Sequence, residues 1–120
     1  MFFCTGDVQM IDEYEFGRIV IDGKEYTNDV IMVGENVYPE WWRERGHLLQ
    51  KKDLGPILDA ELDTLVVGTG HDGRMEVGED VREYCRERGI RLIELKSGKA
   101  VKKYNSMEKS GAALAIHLTC

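Results

Sequence analysis

The sequence predicts an α/β sandwich around a mostly parallel sheet, with an antiparallel hairpin at its N-terminal end. Three observations lead there. Residues 30–33 (VIMV) and 65–67 (LVV) are short continuous apolar runs, as expected of strands covered on both faces. A strongly amphipathic helical stretch follows the second run. Strand-like and helix-like segments then alternate along the remaining chain, the order of βαβ units.

The elements follow in order. Residues 15–21 (EFGRIVI) alternate and are β-branched, and Asp22-Gly23 supplies the positive φ angles of a tight turn before KEYT. Residues 35–52 are irregular, rich in aromatic and charged residues, and LGPILDAEL offers a short helix with Pro56 near its first turn. From residue 77 the helical pattern is strong, because Val77, Val81, Tyr84 and Cys85 make one stripe. Glu79, Asp80 and Glu83 come early in it, arginines come late, and Gly89 stands at the C-terminal cap, all in accord with the helix dipole. IRLIEL at 90–95 reads as a strand. Ser97 then caps a helix from about 98 to 109 whose Ala100, Tyr104 and Met107 share a face. AALAIHLT is uncharged and sets Leu114, Ile116 and Leu118 against Ala113, Ala115 and His117, as in a strand covered on both sides.

At 120 residues the chain is read as one domain, residues 1–120, large enough to bury a core. Sixteen basic against 22 acidic residues give a net charge of -6, which repels phosphate backbones and anionic lipid, so neither nucleic acid nor membrane is expected as a partner. Cys4, Cys85 and Cys120 are odd in number and far apart, which argues against a disulfide framework and a zinc knuckle and for a reducing cytoplasm. No apolar stretch approaches the ~20 residues of a membrane span, and the first residues lack the basic region of a signal peptide.

Gly68-Thr69-Gly70-His71-Asp72-Gly73 satisfies G-x-G-x-x-G after a strand, and Glu94 stands near the usual place of a ribose-binding acid. The physics argues against a dinucleotide. Such a loop works because its last glycine already lies in the first helical turn, bringing N–H groups onto the pyrophosphate. Here RMEVGED intervenes, and Glu79 and Asp80 occupy the first turn, where phosphate would have to sit. The stretch after Glu94 is also too short for a second mononucleotide half. The glycines are read as a sharp strand exit needing small residues, and no cofactor is expected.

LVVGTG (65–70), the helix after it, GIRLIEL and GKAVKKYN (98–105) before a small-residue strand together resemble one family, and IDGKEYTNDVIMV is similar to that family's opening hairpin and strand. It is the family of small uncharacterised α/β proteins that includes a mitochondrial assembly factor for respiratory complex I and an adipogenesis-associated cytosolic protein. The chain departs from the family pattern at Ser97, usually Thr, and at Ser110-Gly111-Ala112, usually an acid-Gly-Arg trio. The resemblance implies a three-layer sandwich with a mixed central sheet whose last strand runs antiparallel. It further implies roles in assembly or regulation, with no enzymatic reaction attached.

Two candidate sites emerge. The carboxyl ends of parallel strands gather ligands, and here they present Gly68, Thr69 and Gly70 opposite Lys96, Ser97, Gly98 and Lys99, where helix N–H groups and lysines would hold a small anion such as phosphate, sulfate or a carboxylate. The second is NVYPEWWRERGHLL. Adjacent tryptophans cannot both point inward from a regular element, so Trp41 or Trp42 is expected on the surface beside Tyr38 and Arg43, residue types that dominate interfaces and fit a protein partner or self-association. Asn105 is read as a structural amide holding a neighbouring backbone and Tyr104 as core. His71, Asp72 and Glu76 lack metal-ligand spacing, His47 and His117 read as a surface and a core histidine, and Cys85 and Cys120 give no nucleophile. A non-catalytic binding or assembly module is the leading expectation, with a small-molecule protein or enzyme working at the 68–70 and 96–99 edge as the alternative.

Overall fold

The computed structural model describes residues 10–108 and 110–120. Strands β1 (Ile11–Glu15), β2 (Arg18–Ile21) and β3 (Lys24–Tyr26) form an antiparallel three-stranded sheet. The second turn is the expected one, since Asp22 and Gly23 both have positive φ. The first turn was not expected. The alternation of residues 15–21 predicts one strand, but the chain reverses at Phe16-Gly17, where Gly17 takes φ 78°.

A five-stranded sheet carries the molecule. It is built from β4 (Val30–Val33), β5 (Asn36–Tyr38), β7 (Thr64–Gly68), β9 (Arg91–Leu95) and β10 (Ala112–Ile116), in the order β5-β4-β10-β7-β9. Strand β10 pairs in parallel with β7, as does β9, while β4 is antiparallel to both β10 and β5. Parallel and antiparallel pairings are thus equal in number, so the sheet is mixed rather than mostly parallel. The reversed strand is β4. The last strand is antiparallel only towards β4, because the helix after β9 returns the chain to the other end of the sheet before β10 begins, and a helical crossover makes the next strand run with the last. A two-stranded parallel pair, β6 (Leu48–Leu49) with β8 (Glu76–Val77), orders part of the 35–52 stretch that reads as irregular and takes Val77 out of the expected helical stripe, so the helix begins two residues later.

Helix α1 (Gly55–Leu58) follows a 3-10 turn over Lys51–Leu54 and carries Pro56 in its first turn. Helix α2 (Glu79–Arg88) buries Val81, Tyr84 and Cys85 and ends on Gly89 at φ 69°, the left-handed cap that glycine takes without strain. Helix α3 spans Ser97–Asn105 and is shorter than expected. Its end is local chemistry, since the Ser106 hydroxyl donates to Lys103 O at 2.7 Å in competition with the helix ladder. The expected last helical position, 109, and Cys4 lie outside the described residues.

Alternating residues of β10 go to opposite faces. Ala113 and Ala115 join Ile31, Leu65 and Val67 under α1 and α2 in one buried cluster. Leu114 and Ile116 join Met32, Val66, the Ala100, Val101 and Tyr104 face of α3, and Ile19 and Ile21 of β2 in the other. All five β10 residues are buried, which is why that segment has no charge. Among the described residues no helix is long and apolar enough to cross a membrane.

Candidate functional site

The glycine loop leaves the end of β7 and meets the start of α3, so the fold does bring 68–70 and 96–99 together. What fills the junction is protein. Ser97 is fully buried at the first position of α3. Its hydroxyl accepts the Gly70 N–H at 2.9 Å and donates to the His117 carbonyl, while its own N–H donates to Gly70 O at 2.9 Å. The residue expected to cap the helix therefore ties three segments instead, and Lys96 stands at the cap without a side-chain bond. Gly68 has no room for a side chain, because a Cβ there would lie 2.7 Å from Ile116 Cγ1 and 2.9 Å from Ser97 Oγ. At Gly70, with φ 112°, a Cβ would lie 2.7 Å from Thr119 O. The glycines thus admit the segment 116–120, which His71 N–H and Arg74 N–H hold through the carbonyls of Thr119 and Cys120 at 3.3 and 3.2 Å. Glu94 is engaged by both terminal guanidinium nitrogens of Arg82, Nη1 and Nη2.

Beside this junction a cleft of about 480 Å³ opens at the carboxyl ends of β7 and β9, lined by Thr69, Met75, Arg82, Glu94 and Lys96 among others. Gly68, Gly70, Ser97, Gly98 and Lys99 are not in its lining. The Thr69 hydroxyl donates to Leu95 O at 3.1 Å. Gly98 faces the Tyr14 ring, 3.9 Å from where its Cβ would be.

The second assembly centres on Asp29, just before β4. Its Oδ2 lies 2.9 Å from Arg43 Nη1 and 2.8 Å from His117 Nδ1, and its Oδ1 accepts the Leu118 N–H at 2.7 Å. Burial alone would raise the Asp29 carboxyl, but the hydrogen bonds from His117 and Leu118 and the positive charge of Arg43 outweigh it and hold it below its ordinary value. Arg43 is turned inward. Its side chain is 5% exposed, it donates to Gly46 O at 3.1 Å, and it stacks 4.7 Å from the centroid of Trp41. Trp41 is itself buried, with its indole N–H donating to Asp53 O at 2.7 Å. Trp42 is the outward member of the pair at 75% exposure, and Tyr38 is 39% exposed. Trp41, Trp42, Arg43, Asp29 and His117 border a cleft of about 240 Å³.

Asn105 grips β1 with both ends of its amide, accepting the Ile11 N–H at 3.0 Å and donating to Ile11 O at 2.8 Å. Tyr104 is fully buried, and burial pushes its hydroxyl up to about 12. His71 and Asp72 are exposed, the former edge-on to Phe16 at 5.5 Å. The fold also gathers three residues that no motif joined: His47, His117 and Cys120 each place one ligand-type atom within 4.8 Å of the others. His117 and Cys120 have the close spacing of a ligand pair, but His47 stands 70 residues before His117, so only the closure of the sheet around β10 brings the three together.

Together, a five-stranded mixed sheet, an N-terminal antiparallel sheet and a glycine loop that packs chain against chain define a small mixed α/β protein. The chain belongs to the family described as protein of unknown function (DUF498/DUF598), which it matches over residues 11–119. Solved structures agree. The conserved hypothetical protein PH1505 from Pyrococcus horikoshii OT3 shares 25% identity at a TM-score of 0.77, over 92% of this chain and 98% of that one. The Rpa2829 protein from Rhodopseudomonas palustris shares 26% identity at 0.72, over 89% and 81%. In fold alone the chain is similar to a Bordetella pertussis protein described as a Mth938-like domain, with 14% identity at 0.67 over 98% and 90%.

Proposed function

We propose that this chain is a one-domain, layered, non-catalytic binding module of the cytoplasm that docks a protein, another copy of itself included, through Trp42. The observation that carries the reading is the contrast within the tryptophan pair: Trp41 is pinned by Asp53 and Arg43 while Trp42, one residue on, stands 75% exposed. A large apolar ring held outward on an ordered base meets a partner with little loss of freedom, and tryptophan is the residue type most enriched at binding hot spots. The resemblance to a family with members in complex assembly supports the same reading, and the two core clusters on opposite faces of the sheet support the layered one. Trp42→Ala should weaken association by about 30-fold or more, the equivalent of ~2 kcal/mol, in light scattering of the purified protein or in capture of its partner. Unchanged association in both would reject the reading.

A second reading rests on the cleft of about 480 Å³. Thr69 and Lys96 line it at the strand edge where α/β proteins bind ligands, which favours a small anion there. A thermal shift with phosphate, sulfate or a carboxylate that disappears in Lys96→Glu would support it. No shift with any of them would dismiss it.

A further inference from the structure

We propose that His47, His117 and Cys120 form a binding site for a single transition-metal ion of the zinc class. The three offer two imidazoles and a thiolate, each with a ligand-type atom within 4.8 Å of the others. Two ligands on one tetrahedral zinc are about 3.5 Å apart, given bond lengths of roughly 2.0–2.3 Å. His47 is exposed and Cys120 half-buried, so both side chains have room to close that difference. The least mobile member is His117, whose side chain is 8% exposed.

His117 is already arranged as a ligand. Its Nδ1 lies between the Asp29 carboxylate at 2.8 Å, which only accepts, and Arg43 Nη2 at 3.1 Å, which only donates; the shorter contact, to the carboxylate, assigns the hydrogen to Nδ1. The other ring nitrogen, Nε2, is then a lone-pair donor, and among the described residues it is buried without a hydrogen-bond partner. A carboxylate behind a histidine is the usual outer support of a metal ligand, fixing both tautomer and ring orientation. Arg43 balances Asp29, so the negative charge of the metal-bound state comes from Cys120, which gives up its proton as it binds the metal. That thiol is placed by the backbone: Arg74 N–H holds the Cys120 carbonyl and Gly70 lies against it. Two imidazoles and one thiolate leave a fourth position to water.

Cobalt(II) titration of the full-length reduced protein, followed by absorbance, tests this directly. The expected result is one ion per chain, a thiolate-to-cobalt charge-transfer band, the d–d bands of a four-coordinate centre, and displacement by zinc. Cys120→Ser should abolish the charge-transfer band, whereas a Cys4→Ser, Cys85→Ser double variant should keep it. Asp29→Asn should retain the band and weaken affinity by about 10- to 100-fold. His47→Ala, at an exposed position where folding is not at stake, should change the d–d bands, and Trp42→Ala should leave the spectrum as it is. Bound zinc should also shield Cys120 from alkylation. Absence of a charge-transfer band with cobalt in excess over folded protein, or a band that survives Cys120→Ser, would overturn the proposal.

Discussion

Ser97 shows how one small polar residue can serve three segments. With its hydroxyl shared between the Gly70 N–H and the His117 carbonyl, Ser97→Ala leaves both groups unpaired in a dry place. The expected loss is about 1–3 kcal/mol, read as a lower urea midpoint at unchanged slope. Asp29 predicts a pH effect. Its carboxyl is held below its ordinary value, so in this range the unfolded chain binds the proton more tightly and stability rises with pH. Its contribution is complete above about pH 4 and disappears as pH falls towards the lower folded value. Denaturation curves between pH 2 and 5 should accordingly be flatter for Asp29→Asn than for the parent, and equal slopes would exclude a role for Asp29 in acid sensitivity. Neither residue advertised its role. Ser97 had the composition of a helix cap, and nothing near Asp29 in the sequence points to His117, 88 positions away. Trp42, by contrast, was half legible: adjacency guaranteed that one tryptophan would be outside, but only the Asp53 and Arg43 contacts decide which.

Among the elements, those that signal their own burial were readable. Helix α2 has its stripe, its charge gradient and its glycine cap, and β4, β7 and β10 are apolar runs that admit few other readings. Short strands were not, because β6 and β8 have two residues each and depend on pairing with one another across the chain. The break between β1 and β2 hid behind good alternation, with Gly17 as its single mark. The glycine loop was legible as a tight exit but not as a packing surface. That assignment makes Gly70→Ala informative: the substitution meets both a positive φ and the Thr119 carbonyl, and should destabilise by about 2–4 kcal/mol. Wild-type stability in Gly70→Ala, measured by thermal unfolding, would show that segment 117–120 does not pack as described.

For the molecule as a whole, strand order was the least legible property, since the central place of β10 depends on non-local pairing that no local pattern encodes. That order bears on how the protein is made. The strand at the middle of the sheet is translated after the two it joins, so β4 and β7 must wait with bare edges while nearly the entire domain is already synthesised. Both waiting strands are apolar, and open apolar edges recruit other chains. A chain stopped before Ala112 should therefore sediment with aggregates instead of persisting as a smaller folded body, and a soluble, cooperative 1–111 fragment would show that the two halves close without it. Until β10 arrives, the nascent chain depends on speed, or on a chaperone, to keep its halves from pairing with strangers.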